Sequence, residues 1–160
     1  MLGLSKRSRP PKQRSVSVNN FVAVYQADPS TVRCNSIIEH SEGQDWNRSQ
    51  VVASASEGTV DLTFRDSHQQ EYPSNDPPAV HKPVLDFASG CLDSYLATFP
   101  SANKFPSFAV TESYQVLRYL DGGAYHAVHS DFYPYGPCNR RHLTGVGFLN
   151  DVAKGGELLF

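Results

Sequence analysis

YLDGGAYHAVHSDFYPYGPCNRRHLTGVGFLNDVAKGGELLF, residues 119–160, is the stretch of this chain that decides how its fold is interpreted. At its centre lie His129, Ser130 and Asp131. In an extended strand, side chains two residues apart point to the same face, so an imidazole and a carboxylate can converge on one point. Such a pair suits a divalent first-row metal. The spacing predicts that His129 and Asp131 are metal ligands, although the same triplet also occurs in polar turns.

The residues on either side of this triplet form two patterned blocks. The first resembles the segment Y-x-x-G-G-x-Y-x-x-H-x-D-F of the prolyl 4-hydroxylase family of 2-oxoglutarate/Fe(II) dioxygenases, with one extra residue between the second tyrosine and the histidine. The second resembles the family block R-x-x-T…Y-L-x-D-V-x-x-G-G-x-x-x-F without a gap. The matching residues are Tyr119, Gly122, Gly123, Tyr125, His129, Asp131 and Phe132 in the first block, and Arg141, Thr144, Leu149, Asp151, Val152, Gly155, Gly156 and Phe160 in the second.

The resemblance implies a fold and a ligand set. The fold is α+β: a double-stranded β-helix, or jelly roll, packed against N-terminal helices. The ligand set is a facial triad of His129, Asp131 and a further histidine, with positions left open for co-substrate and O2. In the family that histidine, and then a Lys or Arg that pairs with 2-oxoglutarate, lie beyond the Gly-Gly block. We therefore expect the chain to be a fragment with an incomplete jelly roll.

The resemblance also implies the chemistry. Fe(II) would be the metal, 2-oxoglutarate the co-substrate and ascorbate a further cofactor, and O2 would serve to hydroxylate an unactivated C–H bond. The expected substrate is a peptidyl proline in a peptide or protein, with a small molecule as the other possibility. Tyr119, Thr144 and Phe148 are the expected co-substrate-binding residues. Phe148 stands where the family has a tyrosine, so its ring keeps the packing but lacks a hydrogen-bond donor.

Two other classes of function remain open. One is a non-catalytic jelly-roll binding module, which the missing ligand and Phe148 favour. The other is an inactive truncated fragment whose unpaired strand edges would promote aggregation. Asp131 bears on the reaction type within the enzyme class, because related halogenases carry a small residue at the carboxylate position. Its presence favours hydroxylation.

Composition sets the broad class of the chain. Its 160 residues are 39% hydrophobic and 19% charged with a net charge of −2, which is enough for one domain with a sizeable core and gives no reason to expect nucleic acid as a partner. No apolar run is long enough to span a bilayer. The three cysteines, Cys34, Cys91 and Cys138, have unrelated spacings, which favours a reducing compartment, most simply the cytoplasm.

The N-terminus differs in composition from the rest. Residues 1–17 contain five basic residues, no acidic residue and almost nothing to bury, so we expect a disordered basic tail. An organelle transit peptide remains an alternative. The dioxygenase domain is expected to cover residues 18–160, with a helical and strand support at 18–110 and the jelly-roll motifs at 111–160.

Local patterns predict the elements of this domain. The strongest is a helix over residues 83–99, whose apolar positions form a wide stripe. A second helix is expected to open at Asp28-Pro29, carry Val32, Cys34, Ile37 and Ile38 inward and end near Gly43. Strands are expected at residues 21–25, 46–53, 59–64, 111–119 and 143–150 and from 157, with a polar loop at 65–78.

The remaining histidines are weaker ligand candidates. His126 is an odd number of positions from His129 and Asp131, so in a strand it would face away from them. His142 opens a predicted strand and is the one most able to approach. His40, His68 and His81 are expected at the surface.

Overall fold

The computed structural model describes residues 14–19, 21–52, 58–104, 112–132, 139 and 141–159. The chain divides into two compact units, Met1–Ile37 with Pro77–Thr111 and Ile38–Asp76 with Glu112–Phe160. The described residues form two α-helices and seven strands, all paired antiparallel, which confirms a mixed helix-and-strand protein. The largest sheet has three strands and does not close on itself within the described residues.

The first unit contains a hairpin and the long helix. Strand β1 (Arg14–Asn19) pairs antiparallel with β2 (Val22–Gln26), and helix α2 (Lys82–Thr98) follows a single 3-10 turn at Ala79–His81. The Tyr95 hydroxyl donates a 2.8 Å hydrogen bond to the Phe21 carbonyl, and the Phe21 and Phe99 rings lie 5.0 Å apart. The predicted helix is therefore confirmed. It begins with a proline in its first turn, where the missing N–H has no helical partner to lose.

Strand β1 begins earlier than composition indicates. The disordered tail was expected to reach residue 17, yet the backbone of Arg14–Asn19 pairs with β2. Backbone hydrogen bonds to β2 stabilise β1, and a prediction based on amino-acid composition does not take such strand pairing into account. Residues 1–13 lie outside the described part of the chain.

The second helix starts later than predicted. Helix α1 covers Cys34–Glu42 and not the segment from Asp28 onward. The Asp28 carboxylate accepts hydrogen bonds from the Ser30 amide at 2.8 Å and the Ser30 hydroxyl at 2.7 Å, so it closes a local turn instead of capping the helix. Of the four side chains expected to point inward, Val32 and Ile37 are buried, whereas Cys34 and Ile38 are only half-buried.

The second unit is built on a three-stranded antiparallel sheet. Its order is β3 (Asn47–Arg48), β6 (His68–Tyr72) and β7 (Tyr114–Arg118). Strand β7 confirms the strand expected at 111–119, with narrower bounds. The loop expected at 65–78 is wrong, because β6 lies within it and is the central strand. Its polar sequence pairs along five positions with β7, from His68 opposite Arg118 to Tyr72 opposite Tyr114.

A buried glutamine explains how so polar a strand can be central. Gln70 is 6% exposed, and its side-chain amide donates to the carbonyls of Ser41 at 2.8 Å and Asp45 at 3.3 Å. Its side-chain oxygen accepts a 2.8 Å hydrogen bond from the Tyr72 hydroxyl. Because buried polar groups are tolerated when they are paired, this network replaces an apolar contact.

The strand expected at 59–64 is also wrong. Only β5 (Gly58–Thr59) is extended there, and it pairs with β4 (Val51–Val52). The Asp61 carboxylate accepts hydrogen bonds from the Thr63 amide at 2.9 Å and hydroxyl at 2.6 Å, which folds the next residues into a turn. The strand expected at 46–53 is present only as β3 and β4, and Ala53 lies outside the described residues.

The C-terminal strands are not formed in the described residues. Residues 141–159 contain neither helix nor strand, in contrast to the strands expected at 143–150 and from 157. Strands form when a neighbour completes their hydrogen bonds, and no described segment pairs with these residues. Gly155 and Gly156 have φ values of +84° and +81°, which suits the turn expected there. None of the described helices is long and apolar enough to cross a membrane.

Replacing Gln70 with leucine tests the buried network. The change removes the hydrogen bonds that the Gln70 amide donates to the Ser41 and Asp45 carbonyls, although Ser41 keeps a 3.1 Å bond from the Gln44 amide. We therefore expect a loss of about 1–3 kcal/mol in the free energy of unfolding. Urea denaturation measures it. The control is Gln115→Leu on β7, whose side chain is exposed. Equal urea midpoints for the two variants would contradict the role assigned to Gln70.

Candidate metal site

The segment that carries the predicted ligands is tied by its backbone to the residues that precede β6. The Asp66 amide donates to the Ala124 carbonyl at 2.8 Å, and the His126 amide donates to the Phe64 carbonyl at 2.9 Å. Between these bonds, Arg65 and Tyr125 form an isolated antiparallel pair. These contacts fix where the chain enters the loop that follows.

Glycine is favoured at each of the two glycine positions of the first motif for a different structural reason. Gly122 has a φ of +81°, a conformation that residues with a Cβ rarely adopt. At Gly123, an added Cβ would lie 2.7 Å from the Asp66 carbonyl oxygen and 3.1 Å from that of Leu120. The Gly-Gly pair therefore permits a turn and a close approach of two backbones.

His129 and Asp131 do lie together. The His129 Nε2 atom is 3.6 Å from Asp131 Oδ1, and the two side chains are 36% and 41% exposed. The prediction that they would share an extended strand is wrong, because residues 126–132 contain no strand and the two groups converge from a loop. The Nδ1 atom of His129 lies 3.1 Å from the Ala127 carbonyl. When Nδ1 carries the proton it donates to that oxygen, which leaves the Nε2 lone pair on the side of Asp131.

Tyr125 forms a platform for the histidine. Its ring is parallel to that of His129, with centroids 3.7 Å apart and an interplanar angle of 7°. The Arg65 guanidinium lies 5.3 Å from the Tyr125 ring centroid, and the Phe64 ring meets it edge-on at 5.7 Å. Burial raises the pKa of Tyr125, and the charges of Asp131 and Tyr119 act in the same direction while Arg65 opposes them. Tyr125 therefore stays protonated beside the pair.

The backbone of Asp131 is held from another direction. Arg141 donates from Nη1 to the Asp131 carbonyl oxygen at 3.3 Å. The same guanidinium binds Glu112, with Nη2 2.6 Å from Oε2 and Nε 3.0 Å from Oε1. The hydrogen bond from Arg141 lowers the pKa of Glu112, although partial burial opposes it.

The residues predicted to bind co-substrate are placed less closely. Tyr119 is 43% exposed and is near enough to influence the pKa of Tyr125. Thr144 is exposed and Phe148 is 63% exposed. No hydrogen bond or ring contact of the described residues joins Thr144 or Phe148 to His129 or Asp131. The structure therefore brings His129, Asp131 and, less directly, Tyr119 together.

No third ligand joins the pair within the described chain. Over those residues, no group of three histidine, cysteine, aspartate or glutamate side chains could hold a metal ion, so neither His126 nor His142 completes a triad there. His81 was expected at the surface, which is wrong, because it is 1% exposed at the turn before α2. His40 is half-buried, with its ring 6.5 Å from that of Tyr72.

Three residues of this site were missed as participants. Tyr125 belongs to the first motif, so its position beside the histidine was the available signal. Arg65 and Glu112 lie outside both motifs, and no local pattern marks them. Arg65 is brought to the site by its pairing with Tyr125, and Glu112 is brought there by the two-point contact with the Arg141 guanidinium.

Comparisons of the chain with protein-family models, with curated proteins and with solved structures each gave no match.

Gly123→Ala tests the close approach that positions the loop. The added methyl would collide with the Asp66 carbonyl, which is backbone and cannot swing away. We expect a loss of about 1–3 kcal/mol in the free energy of unfolding and shifted amide resonances at Asp66 and His126. The control is Gly145→Ala, where an added Cβ meets nothing within 4 Å. If Gly123→Ala behaves like the control, the backbone contact is not constraining.

The lowered pKa of Glu112 predicts a pH dependence. A carboxylate with a lower pKa in the folded state stabilises the fold above its unfolded pKa, and this contribution is lost as pH falls through the folded pKa. Wild type should therefore have a higher urea midpoint than Glu112→Gln near neutral pH. The difference should shrink as the pH falls below 4.5, the ordinary value for this group. A difference that stays constant across the acidic range would show that the charge of Glu112 does not contribute.

Proposed function

We propose that this chain carries two ligands of the Fe(II) centre of a 2-oxoglutarate-dependent dioxygenase, and that these ligands are His129 and Asp131. The observation that carries the proposal is the 3.6 Å separation between His129 Nε2 and Asp131 Oδ1 in a loop bounded by the Gly-Gly turn. An imidazole and a carboxylate from a His-x-Asp pair are the donor types that non-haem Fe(II) sites use.

The residues present fit such a metal in three respects. Both side chains are partly exposed, so an ion can reach them from solvent. The Ala127 carbonyl sits where it can accept the Nδ1 proton of His129, which is the support that metal-binding histidines usually have. The ring of Tyr125 stacks on that of His129 with centroids 3.7 Å apart, which supports the imidazole beside Asp131.

Fe(II) together with 2-oxoglutarate and O2 would supply the oxidant for hydroxylation of an unactivated C–H bond. The chain's own contribution is to hold the metal through one neutral and one anionic side chain. In this proposal the hydroxyls of Tyr119 and Thr144 bind the 2-oxoglutarate carboxylate, and Phe148 contributes only a hydrophobic wall. Ascorbate remains the proposed additional cofactor.

The finer fold and the substrate belong to the same proposal. The antiparallel strands β6 and β7 would be part of a double-stranded β-helix backed by the helices. A peptidyl proline is the proposed substrate. The free thiols of Cys34 and Cys91 support a reducing compartment such as the cytoplasm.

A non-catalytic binding module is the second candidate, and Phe148 favours it. A phenylalanine cannot donate a hydrogen bond to a carboxylate, which would leave that charge less well compensated. The exposure of its ring, 63%, is also compatible with a surface that binds another apolar group. Metal-dependent retention of 2-oxoglutarate separates this candidate from the enzyme.

Substitution of the proposed ligands tests the metal site directly. Co2+ is a suitable probe because it is paramagnetic. In the general affinity order of divalent metals, a given site binds Co2+ more tightly than Fe2+ and less tightly than Ni2+. We expect Co2+ to broaden the amide resonances around residues 127–132 in wild type. His129→Ala or Asp131→Ala should abolish this broadening, whereas the control His126→Ala should retain it.

Equilibrium dialysis of 2-oxoglutarate extends the test to the co-substrate. We expect the protein to retain 2-oxoglutarate only when Co2+ is present and only with His129 and Asp131 intact. Equal broadening in all three alanine variants would contradict the ligand assignment. If the protein binds Co2+ but does not retain 2-oxoglutarate, the result would favour the non-catalytic binding module.

A further inference from the structure

Arg141 connects three segments that are far apart in the sequence. Its guanidinium contacts the Glu112 carboxylate through Nε and Nη2, and its Nη1 reaches the Asp131 carbonyl oxygen. The pair is partly sheltered, with the Arg141 and Glu112 side chains 37% and 33% exposed. A partly sheltered two-point contact of this kind fixes the plane of a guanidinium, which a lysine cannot reproduce.

The direction of the third guanidinium nitrogen, Nη1, then follows from the contact with Glu112. With Nε and Nη2 engaged by Glu112, Nη1 is left to point at the Asp131 carbonyl. Asp131 lies in a loop, so it has no strand neighbour to hold its backbone. Among the described residues, this loop also contains a 3.2 Å bond from the Phe132 amide to the Ser130 hydroxyl and the contact of the His129 ring with the Ala127 carbonyl. Arg141 thus ties the Asp131 main chain to Glu112, a residue outside this loop, and so bears on the reach of the Asp131 carboxylate toward His129.

We propose that Glu112 and Arg141 are positioning residues for the carboxylate ligand of the metal site. This inference rests on the proposed function, because it assigns the pair a role in holding Asp131 for a metal. Neither residue touches the metal in this proposal. Outer partners that orient ligands typically change metal affinity by about 10–100-fold when they are removed.

Arg141→Lys and Glu112→Gln are the first variants to compare with wild type. We expect the Kd for Co2+, measured from the broadening of resonances at 127–132, to rise by about 10–100-fold in each. In the metal-free protein, Arg141→Lys should also shift the carbonyl 13C resonance of Asp131, since its hydrogen bond is lost. The matched control is Arg118→Lys, which weakens another Arg–Glu pair, the 2.7 Å contact with Glu42. It should leave both readouts unchanged.

A charge-swapped protein separates positioning from plain stabilisation. In the double variant Glu112→Arg with Arg141→Glu, the ion pair can reform and restore the urea midpoint. A glutamate at position 141 has no donor for the Asp131 carbonyl, so Co2+ affinity should stay low. Recovery of affinity in the double variant would show that the pair only stabilises the fold and would overturn the inference.

The outcomes also distinguish this inference from the proposed function. If wild type binds Co2+ and Arg141→Lys binds it with the same Kd, the inference fails and the metal site stands. If wild type shows no broadening at 127–132, the metal site fails and the inference fails with it. A lower affinity in both single variants with an unchanged Arg118→Lys supports both.

Discussion

The antiparallel pairing of β6 with β7 is the constraint on which the rest of the candidate site depends. This pairing places His68 opposite Arg118. The two segments of the chain pair again where Arg65 lies opposite Tyr125. Three positions separate Arg65 from His68, whereas seven separate Arg118 from Tyr125. The four additional residues are taken up by the turn at 120–123, which is closed by the bond from the Gly123 amide to the Leu120 carbonyl. The Gly-Gly motif thus lets two paired segments stay in contact across a local excess of chain.

The sequence predicted the elements whose stability is encoded locally. Helix α2 carries an apolar stripe at helical spacing, and β7 alternates, so both were recognisable. Strand β6 was missed because its stability comes from two neighbouring strands and from a buried glutamine whose partners, Ser41 and Asp45, are carbonyls 25 or more residues away. A polar run looks like a loop unless those partners are known. The strand at 59–64 failed for the opposite reason, since a local Asp61 turn competed successfully with its alternating pattern.

The site shows the same division. The convergence of His129 and Asp131 was predictable from their spacing, although the reason given, a shared strand, is wrong. Two residues apart remains close in a loop, so short separation in sequence was sufficient. Arg65 and Glu112 were not predictable, because their nearness to residues 125–131 is created by strand pairing and by the reach of Arg141. A ligand pair formed by residues close in sequence can be predicted from the sequence. The residues from distant segments that support the pair cannot.

The two proposed ligands are held by different means, and both means lead back to the sheet. His129 is stacked on Tyr125, whose backbone pairs with Arg65 just before β6. Asp131 is held through Arg141 by Glu112, which lies two residues before β7. Tyr125 and Glu112 lie on either side of β7, so both supports are placed by this strand, and the Arg65–Tyr125 pairing links them to the segment that precedes β6. On the proposed function, the sheet therefore sets where the support of each ligand begins, whereas the contacts of His129 with Tyr125 and of Asp131 with Arg141 set how closely the two ligands approach each other.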